Sequence, residues 1–191
     1  MATVADAIYG RRAVRAYSHD PVSKEEIDAL IEAAIQAPSA VNAQPWRFVV
    51  LQDHDLLDRY ETDAKNLWLA EPTPPEVADS GLPDLDRLRR MMAEPGHLLF
   101  HGAQTLVVIY ATSADGVADC FLAAQNLMLA ACERGLGTCP IGLCKPLFNR
   151  AEVKDELGIP STWVAAFPVV VGHPAGPTAA VPRHPPVVHW R

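Results

Sequence analysis

The chain has 191 residues, of which 49% are hydrophobic, enough for the core of one compact domain or one half of an intertwined dimer. Its 23 acidic side chains outnumber its 16 basic ones and give a formal net charge of −7, which excludes a general attraction to nucleic acid or to an anionic membrane. Residues Met1–Gly10 carry neither a cationic leader nor a continuous apolar run, so we expect a cytoplasmic protein.

The first half of the chain predicts a capped helix, a strand and a second helix. Ser23 and Glu26 form a capping-box pattern ahead of apolar residues at helical spacing, and Pro38 ends this helix. Trp46–Leu51 is short, apolar and β-branched, as is typical of an inner strand. Asp53–Ala70 returns to helical spacing.

The middle of the chain begins with an irregular stretch. Glu71–Pro83 holds four prolines, which favours an irregular surface excursion. Asp84–Glu94 predicts a short helix and Thr105–Ala111 a buried strand. Asp115 is a candidate N-cap for a long helix that ends at Gly135. Its apolar stretch Phe121–Cys132 is interrupted by Gln125 and Asn126 and falls short of the roughly 20 residues that would cross a bilayer.

The last third predicts a brief strand over Gly137–Ile141, a helix over Pro146–Leu157 and a buried strand over Thr162–Val171. From Gly172 the chain becomes proline-rich but ends in an apolar segment, which favours a tail that wraps over another surface, such as a partner subunit. The order of elements predicts an α+β domain in which helices surround a small mixed central sheet.

Sequence patterns of other enzyme classes and of metal sites are missing. There is no GxGxxG after a strand, no Walker loop, no GxSxG and no HExxH. The four cysteines lack CxxC spacing, and no histidine stands at ligand spacing from another histidine or a cysteine pair. We therefore expect free thiols and no metal.

Arg11, Arg12 and Arg15 form a basic cluster near the start of an acidic chain. Guanidinium groups this close together can clamp a phosphate through paired hydrogen bonds. A solvated charge patch explains the same residues equally well at this stage.

Two further segments offer polar groups to a ligand. In Ala37–Trp46, two prolines stiffen a run that carries one hydroxyl and two carboxamides, which match the donor and acceptor edge of a flavin ring or its ribityl chain. Gly135–Gly142 concentrates glycines where a helix ends, so that backbone amides can approach a planar ligand. Each segment alone is also explained as a turn or a helix cap.

Taken together and in register, four segments resemble the FMN-dependent nitroreductase family. They are RRAVRAY (Arg11–Tyr17), APSAVNAQPWRF (Ala37–Phe48), AAQNLMLAACERGLGTCPIG (Ala123–Gly142) and PRHPPVVHW (Pro182–Trp190). The resemblance spans almost the whole chain and is weakest in the proline-rich middle.

The resemblance implies a fold, an assembly and a cofactor. The chain 1–191 would form one nitroreductase-like domain, with a mixed central sheet surrounded by helices and with residues 172–191 as a tail wrapping the partner subunit. Two chains would form an intertwined homodimer that binds two FMN molecules in the clefts between its subunits.

It also implies cofactor contacts. Arg11, Arg12 and Arg183 would bind the phosphate and ribityl groups, with Arg15 near the pyrimidine edge. The contacts from the opposite subunit would be made by Pro38, Ser39, Ala40, Asn42 and Gln44. The turn past the isoalloxazine would consist of Pro140, Ile141, Gly142 and Leu143, with an amide of Gly142 or Leu143 near N5.

Two positions depart from the family pattern. Ala13 stands where the family usually has serine, which removes a hydroxyl contact worth about 1 kcal/mol. Leu143 replaces the usual second glycine of the turn, so we expect a narrower or reshaped acceptor pocket. Trp68 and Glu71–Pro83 are candidates for the cover of that pocket, with core packing as the other reading of Trp68.

The implied activity is hydride transfer from NADH or NADPH to a small electron-poor acceptor, such as a nitroaromatic or a quinone, by a ping-pong mechanism. No catalytic side chain is expected, because flavin N5 carries the chemistry. Three alternatives remain: a relative that uses reduced FMN as its substrate, a flavin-binding homologue without turnover, and a protein that binds another phosphorylated ligand.

Overall fold

A computed structural model of the chain describes residues 3–70, 72–78 and 84–191. Its sheet has four antiparallel strands in the order β1-β2-β4-β3. The strands are β1 (Trp46–Leu51), β2 (Thr105–Ala111), β3 (Gly137–Pro140) and β4 (Val164–Gly172). In the described part of the chain, parallel pairing is confined to a bridge between Ala13 and Thr138. The predicted α+β class is confirmed. The four strands of the sheet are all antiparallel, and the parallel pairing is limited to this isolated bridge.

Eight α-helices surround the sheet in the described residues. They are α1 (Val4–Gly10), α2 (Lys24–Ala34), α3 (His54–Leu69), α4 (Pro75–Ala78), α5 (Leu85–Ala93), α6 (Val117–Glu133), α7 (Lys145–Phe148) and α8 (Ala151–Glu156). The predicted capping box is confirmed, because the Ser23 side chain accepts from the amide of Glu26 and the Glu26 carboxylate accepts from the amide of Ser23. The side chain of Asp53 caps α3. None of the helices described here is both long and apolar enough to span a membrane.

Four helices differ from the sequence predictions, and one of them is α2, which ends at Ala34 and not at Pro38. Helix α1 was not predicted, since its apolar side chains Val4 and Ile8 face outward. Asp115 is not the N-cap of α6: it lies in a 3₁₀ turn, and Gly116 precedes the helix. The helix predicted over Pro146–Leu157 is broken into α7 and α8, because Asn149 hydrogen-bonds both α7 and strand β4.

The core lies on both faces of the sheet, and strand β2 separates its two halves. Every residue of β2 is buried. On one face Leu106, Val108 and Tyr110 pack with residues of α3 and α7. On the other face Val107 and Ile109 pack with residues of α2 and α6. The alternation of side chains along β2 therefore joins both layers of helices to one sheet.

Candidate functional site

The basic segment that follows α1 lies beside strand β3. The amide of Val14 donates to the carbonyl of Thr138 over 3.0 Å, and Ala13 pairs with Thr138. The contact is tight at Gly137, where a Cβ atom would come within 2.7 Å of Val14 Cγ2. The structure thus brings together the arginine cluster and the glycine-rich segment, two of the regions selected from the sequence.

The arginine side chains divide between two hollows beside this extended segment. Arg15 lines one hollow, next to the turn after β3, and Arg11 and Arg12 line another. Burial raises the pKa of the Cys139 thiol, and the positive charges of Arg15 and Arg11 oppose that rise, so both guanidinium groups act on β3. Arg12 instead donates to the carbonyls of Tyr9 (2.7 Å) and of Arg11 (3.0 Å).

The turn after β3 is anchored from both ends. Ile141 is buried and its amide donates to the carbonyl of Pro168 over 2.9 Å, while the amide of Cys144 donates to Ile141. The amides of Gly142 and Leu143 have no acceptor in the described part of the chain, as is usual for the first residues of a helical turn. These two amides are available to a ligand.

Trp68 is a core residue and not a pocket cover. Its side chain is 0% exposed, and its indole Nε1 donates to the carbonyl of Leu143 over 2.6 Å. The cover prediction is wrong for Trp68 because helix α3 directs its side chain into the core. Of the other proposed cover, residues 71 and 79–83 lie outside the described residues, and Pro75–Ala78 forms α4.

A cavity of about 300 Å³ opens between the basic segment and this turn. It is lined by Arg15, Met91, His97, Leu99, His101, Cys139, Pro140, Ile141, Gly142 and Leu143. No carboxylate belongs to this lining as far as the structure describes the chain. The sequence did not predict His97, Leu99 and His101 at this site, because the segment between α5 and β2 has no motif or periodicity. Met91 lies in the predicted helix α5, which carries no sign of a ligand site.

The polar loop before β1 lies at a different corner of the domain. The amide of Gln44 donates to Ser39 Oγ over 3.0 Å, and the amide of Ala40 donates to Asp119 of α6 over 3.3 Å. Val41, Asn42 and Gln44 all have positive φ angles, of 46°, 58° and 46°. A residue other than glycine in this conformation costs on the order of 1–3 kcal/mol. Such strained residues are concentrated at functional sites.

Within one chain this loop does not reach the cavity. Strands β1 and β3 occupy opposite edges of the sheet, three strand spacings of ~4.8 Å apart, so the separation is at least ~14 Å. Pro45 at the end of the loop packs closely against Gly116, where a Cβ atom would come within 2.6 Å of Pro45 Cβ. The loop residues Pro38, Ser39, Ala40, Asn42 and Gln44 are therefore not joined to the arginine segment.

The tail starts beside the basic segment but then leaves it. The amide of Ala175 donates to the carbonyl of Ala16, and the amide of Ser18 donates to His173. A second hollow of about 230 Å³ includes Arg11, Arg12 and Thr178 in its lining. Arg183 lies further along the exposed tail and is not part of this lining.

The residues present fit a flavin mononucleotide. Arginine side chains suit its phosphate, two amides without protein acceptors suit a heteroatom of its ring, and a cavity without acidic groups suits an anionic cofactor. In the described residues, no cluster of three or more metal-ligating side chains is found.

The chain belongs to the nitroreductase family, whose sequence model matches residues 8–173. It is 30% identical over 170 residues to a protein of Archaeoglobus fulgidus named for NADH dehydrogenase and NAD(P)H nitroreductase activity, covering 87% of this chain and 83% of that protein. It is 27% identical over 188 residues to a Bacillus subtilis protein named FMN reductase (NAD(P)H), covering 97% and 71%.

A solved structure shows the same fold. The crystal structure of a nitroreductase with bound FMN from Desulfitobacterium hafniense matches the chain with a TM-score of 0.79 and 26% identity, over 100% of both chains. The predicted family and fold class are confirmed by these matches.

Proposed function

We propose that the chain is an oxidoreductase that uses FMN to pass hydride from NADH or NADPH to a small electron-poor acceptor, such as a nitroaromatic or a quinone. The observation that carries this proposal is the pairing of the Arg11–Arg15 segment with strand β3, which puts Arg15 and two available amides around one cavity and Arg11 and Arg12 around a second hollow beside the same strand. FMN is the cofactor, and when bound it supplies a ring that accepts and releases hydride at N5.

The chain's own residues bind and orient this group. Arg11, Arg12 and Arg183 hold the phosphate and ribityl groups, with Arg12 using the donors that its carbonyl contacts leave over. Arg15 lies at the pyrimidine edge, where its charge favours the anionic reduced ring. Ala13 provides no hydroxyl group to the flavin, in contrast to the serine that is usual at this position in the family.

The turn over Pro140, Ile141, Gly142 and Leu143 forms the wall on which the ring rests. An amide of Gly142 or Leu143 donates to N5, and the Trp68 indole holds the backbone of this turn in place. Leu143 narrows the space available to the acceptor. Because no acidic side chain lines the cavity among the described residues, we propose that water delivers the protons.

The assembly is a homodimer with two such sites. Since the loop over Pro38, Ser39, Ala40, Asn42 and Gln44 is held at the opposite sheet edge, we propose that it completes the site of the partner subunit. Of the predicted tail 172–191, Gly172 ends β4 and residues 173–175 stay beside residues 16–18 of the same chain, so we propose that the exposed part beyond Ala175 wraps the partner and brings Arg183 to its FMN. Exposed apolar side chains support an interface: Phe121 and Leu122 on α6 are 44% and 47% exposed.

We propose that turnover is ping-pong, with the nicotinamide and the acceptor using the same exposed face of the flavin in succession. The test is the visible absorption of the purified protein before and after anaerobic addition of NADH or NADPH. We expect a flavin spectrum that one donor bleaches and a nitroaromatic or quinone restores.

Other outcomes separate the alternatives. A protein that has no flavin spectrum and takes up no added FMN would contradict the proposal and favour another phosphorylated ligand. Bound flavin that neither donor reduces would favour a homologue without turnover. Weakly bound FMN that is destroyed on reduction in air would favour reduced FMN as the substrate.

A further inference from the structure

The rim of the cavity beside the turn carries one arginine and two histidine side chains, which cofactor binding does not account for in full. Besides Arg15, the rim includes the side chains of His97 and His101, and none of the described lining residues is acidic. This composition contrasts with a chain that carries 23 acidic and 16 basic side chains. The cavity is therefore locally selective for anions in a protein that otherwise repels them.

His101 is held in position by its backbone. Its φ of 57° lies in the left-handed region, which costs energy for a residue other than glycine. Leu99 and Phe100, which precede it, are only 3% and 2% exposed. The amide of His101 donates to the carbonyl of Leu98, and the amide of Ala103 donates to Phe100. The half-buried imidazole thus stands on a turn fixed by the core.

The groups around His101 on the cavity side are cationic or neutral. Burial lowers the pKa of the His101 imidazole, and the charges of Arg15 and His97 lower it further. The Cys139 thiol, the fourth titratable group of this lining, stays neutral because burial raises its pKa. His101 is consequently a neutral hydrogen-bond donor at neutral pH, and it gains a proton only in acid.

Charged groups behind the turn point elsewhere. Lys65 Nζ donates to the carbonyl of His97 over 2.7 Å. Glu61 accepts from the amide of Phe100 over 3.1 Å, and burial raises the pKa of its carboxyl group. Neither residue lines the cavity, so neither supplies a counterion to His101 there.

We propose that the acceptor is an electron-poor aromatic compound that carries an anionic substituent, such as a carboxylate, and that His101 binds this substituent with support from His97 and Arg15. This inference rests on the proposed function and narrows its substrate class. The carboxylate takes no part in electron transfer. For a nitro acceptor one hydride and one proton are consumed, an N–O bond breaks, and the nitroso product and water leave.

The test uses the FMN-loaded protein with two matched acceptors, 4-nitrobenzoate and 4-nitrobenzamide, which share the ring and the nitro group. We measure the ratio of kcat/KM for the benzoate to that for the benzamide between about pH 8 and about pH 5.5. The ratio should rise about tenfold as the pH falls, because protonated imidazole binds the carboxylate more strongly.

His101→Asn removes the titrating group but keeps a residue that tolerates left-handed backbone. In this variant the ratio should lose its pH dependence and fall about tenfold at the acidic end. The control is His54→Asn, which changes an exposed histidine on α3 outside the cavity and should leave the ratio as in the wild type. FMN content is measured for each protein from its absorption.

The outcomes separate the two proposals. Turnover of both acceptors with a ratio that is independent of pH, or that is unchanged in His101→Asn, would overturn the anionic-acceptor proposal and leave the proposed function in place. A protein that binds no FMN or reduces neither acceptor would overturn both.

Discussion

At the scale of residues, the candidate site depends on single polar contacts whose removal has distinct consequences. The arginine side chains supply charge, while the indole of Trp68 and the amides of the turn supply geometry. A charge removed from the site should change FMN affinity with little effect on folding. A buried hydrogen bond removed from beneath the turn should change both.

Replacing Arg183 with Ala should weaken FMN retention. A desolvated charge contact to phosphate is worth on the order of 2–5 kcal/mol, whereas a surface arginine is worth far less. Titration of the apoprotein with FMN, followed by flavin fluorescence, measures the change. Arg191→Ala in the same exposed tail is the matched control. Unchanged affinity in the Arg183 variant would show that the tail has been assigned wrongly.

Replacing Trp68 with Phe should lower both stability and FMN affinity, because it leaves the Leu143 carbonyl without its 2.6 Å donor. An unsatisfied buried carbonyl costs about 1–3 kcal/mol. Denaturant unfolding and FMN titration give the two values.

Tyr60→Phe is the control, since it removes a 3.0 Å bond from the same helix to Glu156, away from the cavity. It should affect stability alone. Equal FMN affinity in the Trp68 variant and the wild type would contradict a positioning role for Trp68.

At the scale of elements, most boundaries were predictable from local chemistry. Capping by Ser23 and Asp53 predicted the starts of α2 and α3 to within a residue, and the β-branched runs predicted the bounds of β1 and β2 equally closely. The break at Asn149 was not predictable, because it depends on hydrogen bonds to β4 that form only in the folded chain.

The candidate site was also predictable only in part. The proximity of the Arg11–Arg15 segment to the turn after β3 agrees with the family resemblance. His97 and His101 join the same cavity from a segment without a sequence pattern. They reach it because Leu99 and Phe100 anchor their turn in the core.

Replacing Gly137 with Ala should separate the basic segment from β3. The new Cβ atom would meet Val14 Cγ2 at 2.7 Å, and overpacking of this kind costs about 1–3 kcal/mol. We expect lower stability and weaker FMN binding, measured by unfolding and titration. Gly10→Ala is the control, since its Cβ atom would lie 3.9 Å from Cys132 Sγ. Identical behaviour of the two variants would argue against the close contact.

The capping box of α2 predicts a loss of stability in acid. Hydrogen bonds from the backbone and side chain of Ser23 lower the pKa of the Glu26 carboxyl group below its ordinary value. A carboxyl group of lowered pKa stabilises the fold above its unfolded pKa, and this contribution disappears as the pH falls through the folded value.

The free energy of unfolding should therefore decrease between about pH 5 and about pH 3, and less steeply in Glu26→Gln than in the wild type. Denaturant unfolding across this range measures the slope. Glu25→Gln, in the same first turn, is the control. A Glu26 variant with the wild-type slope would show that the cap does not contribute.

At the scale of the whole molecule, one chain provides only part of the proposed site. The Arg11–Arg15 segment and the loop over residues 38–44 lie at opposite sheet edges. Large apolar side chains also remain exposed, among them Tyr9 at 80% and Trp190 at 91%. Both observations are explained if two chains associate so that each completes the cavity of the other.

The most direct test of this account mixes two defective chains. One carries Arg11→Ala and Arg15→Ala, and the other carries Asn42→Gly and Gln44→Gly, where glycine accepts the positive φ angles. Each homodimer should bind FMN weakly. In a mixed dimer the intact arginine segment of one chain meets the intact loop of the other, so about one of the two sites should recover. FMN binding that does not recover in purified mixed dimers would contradict the account.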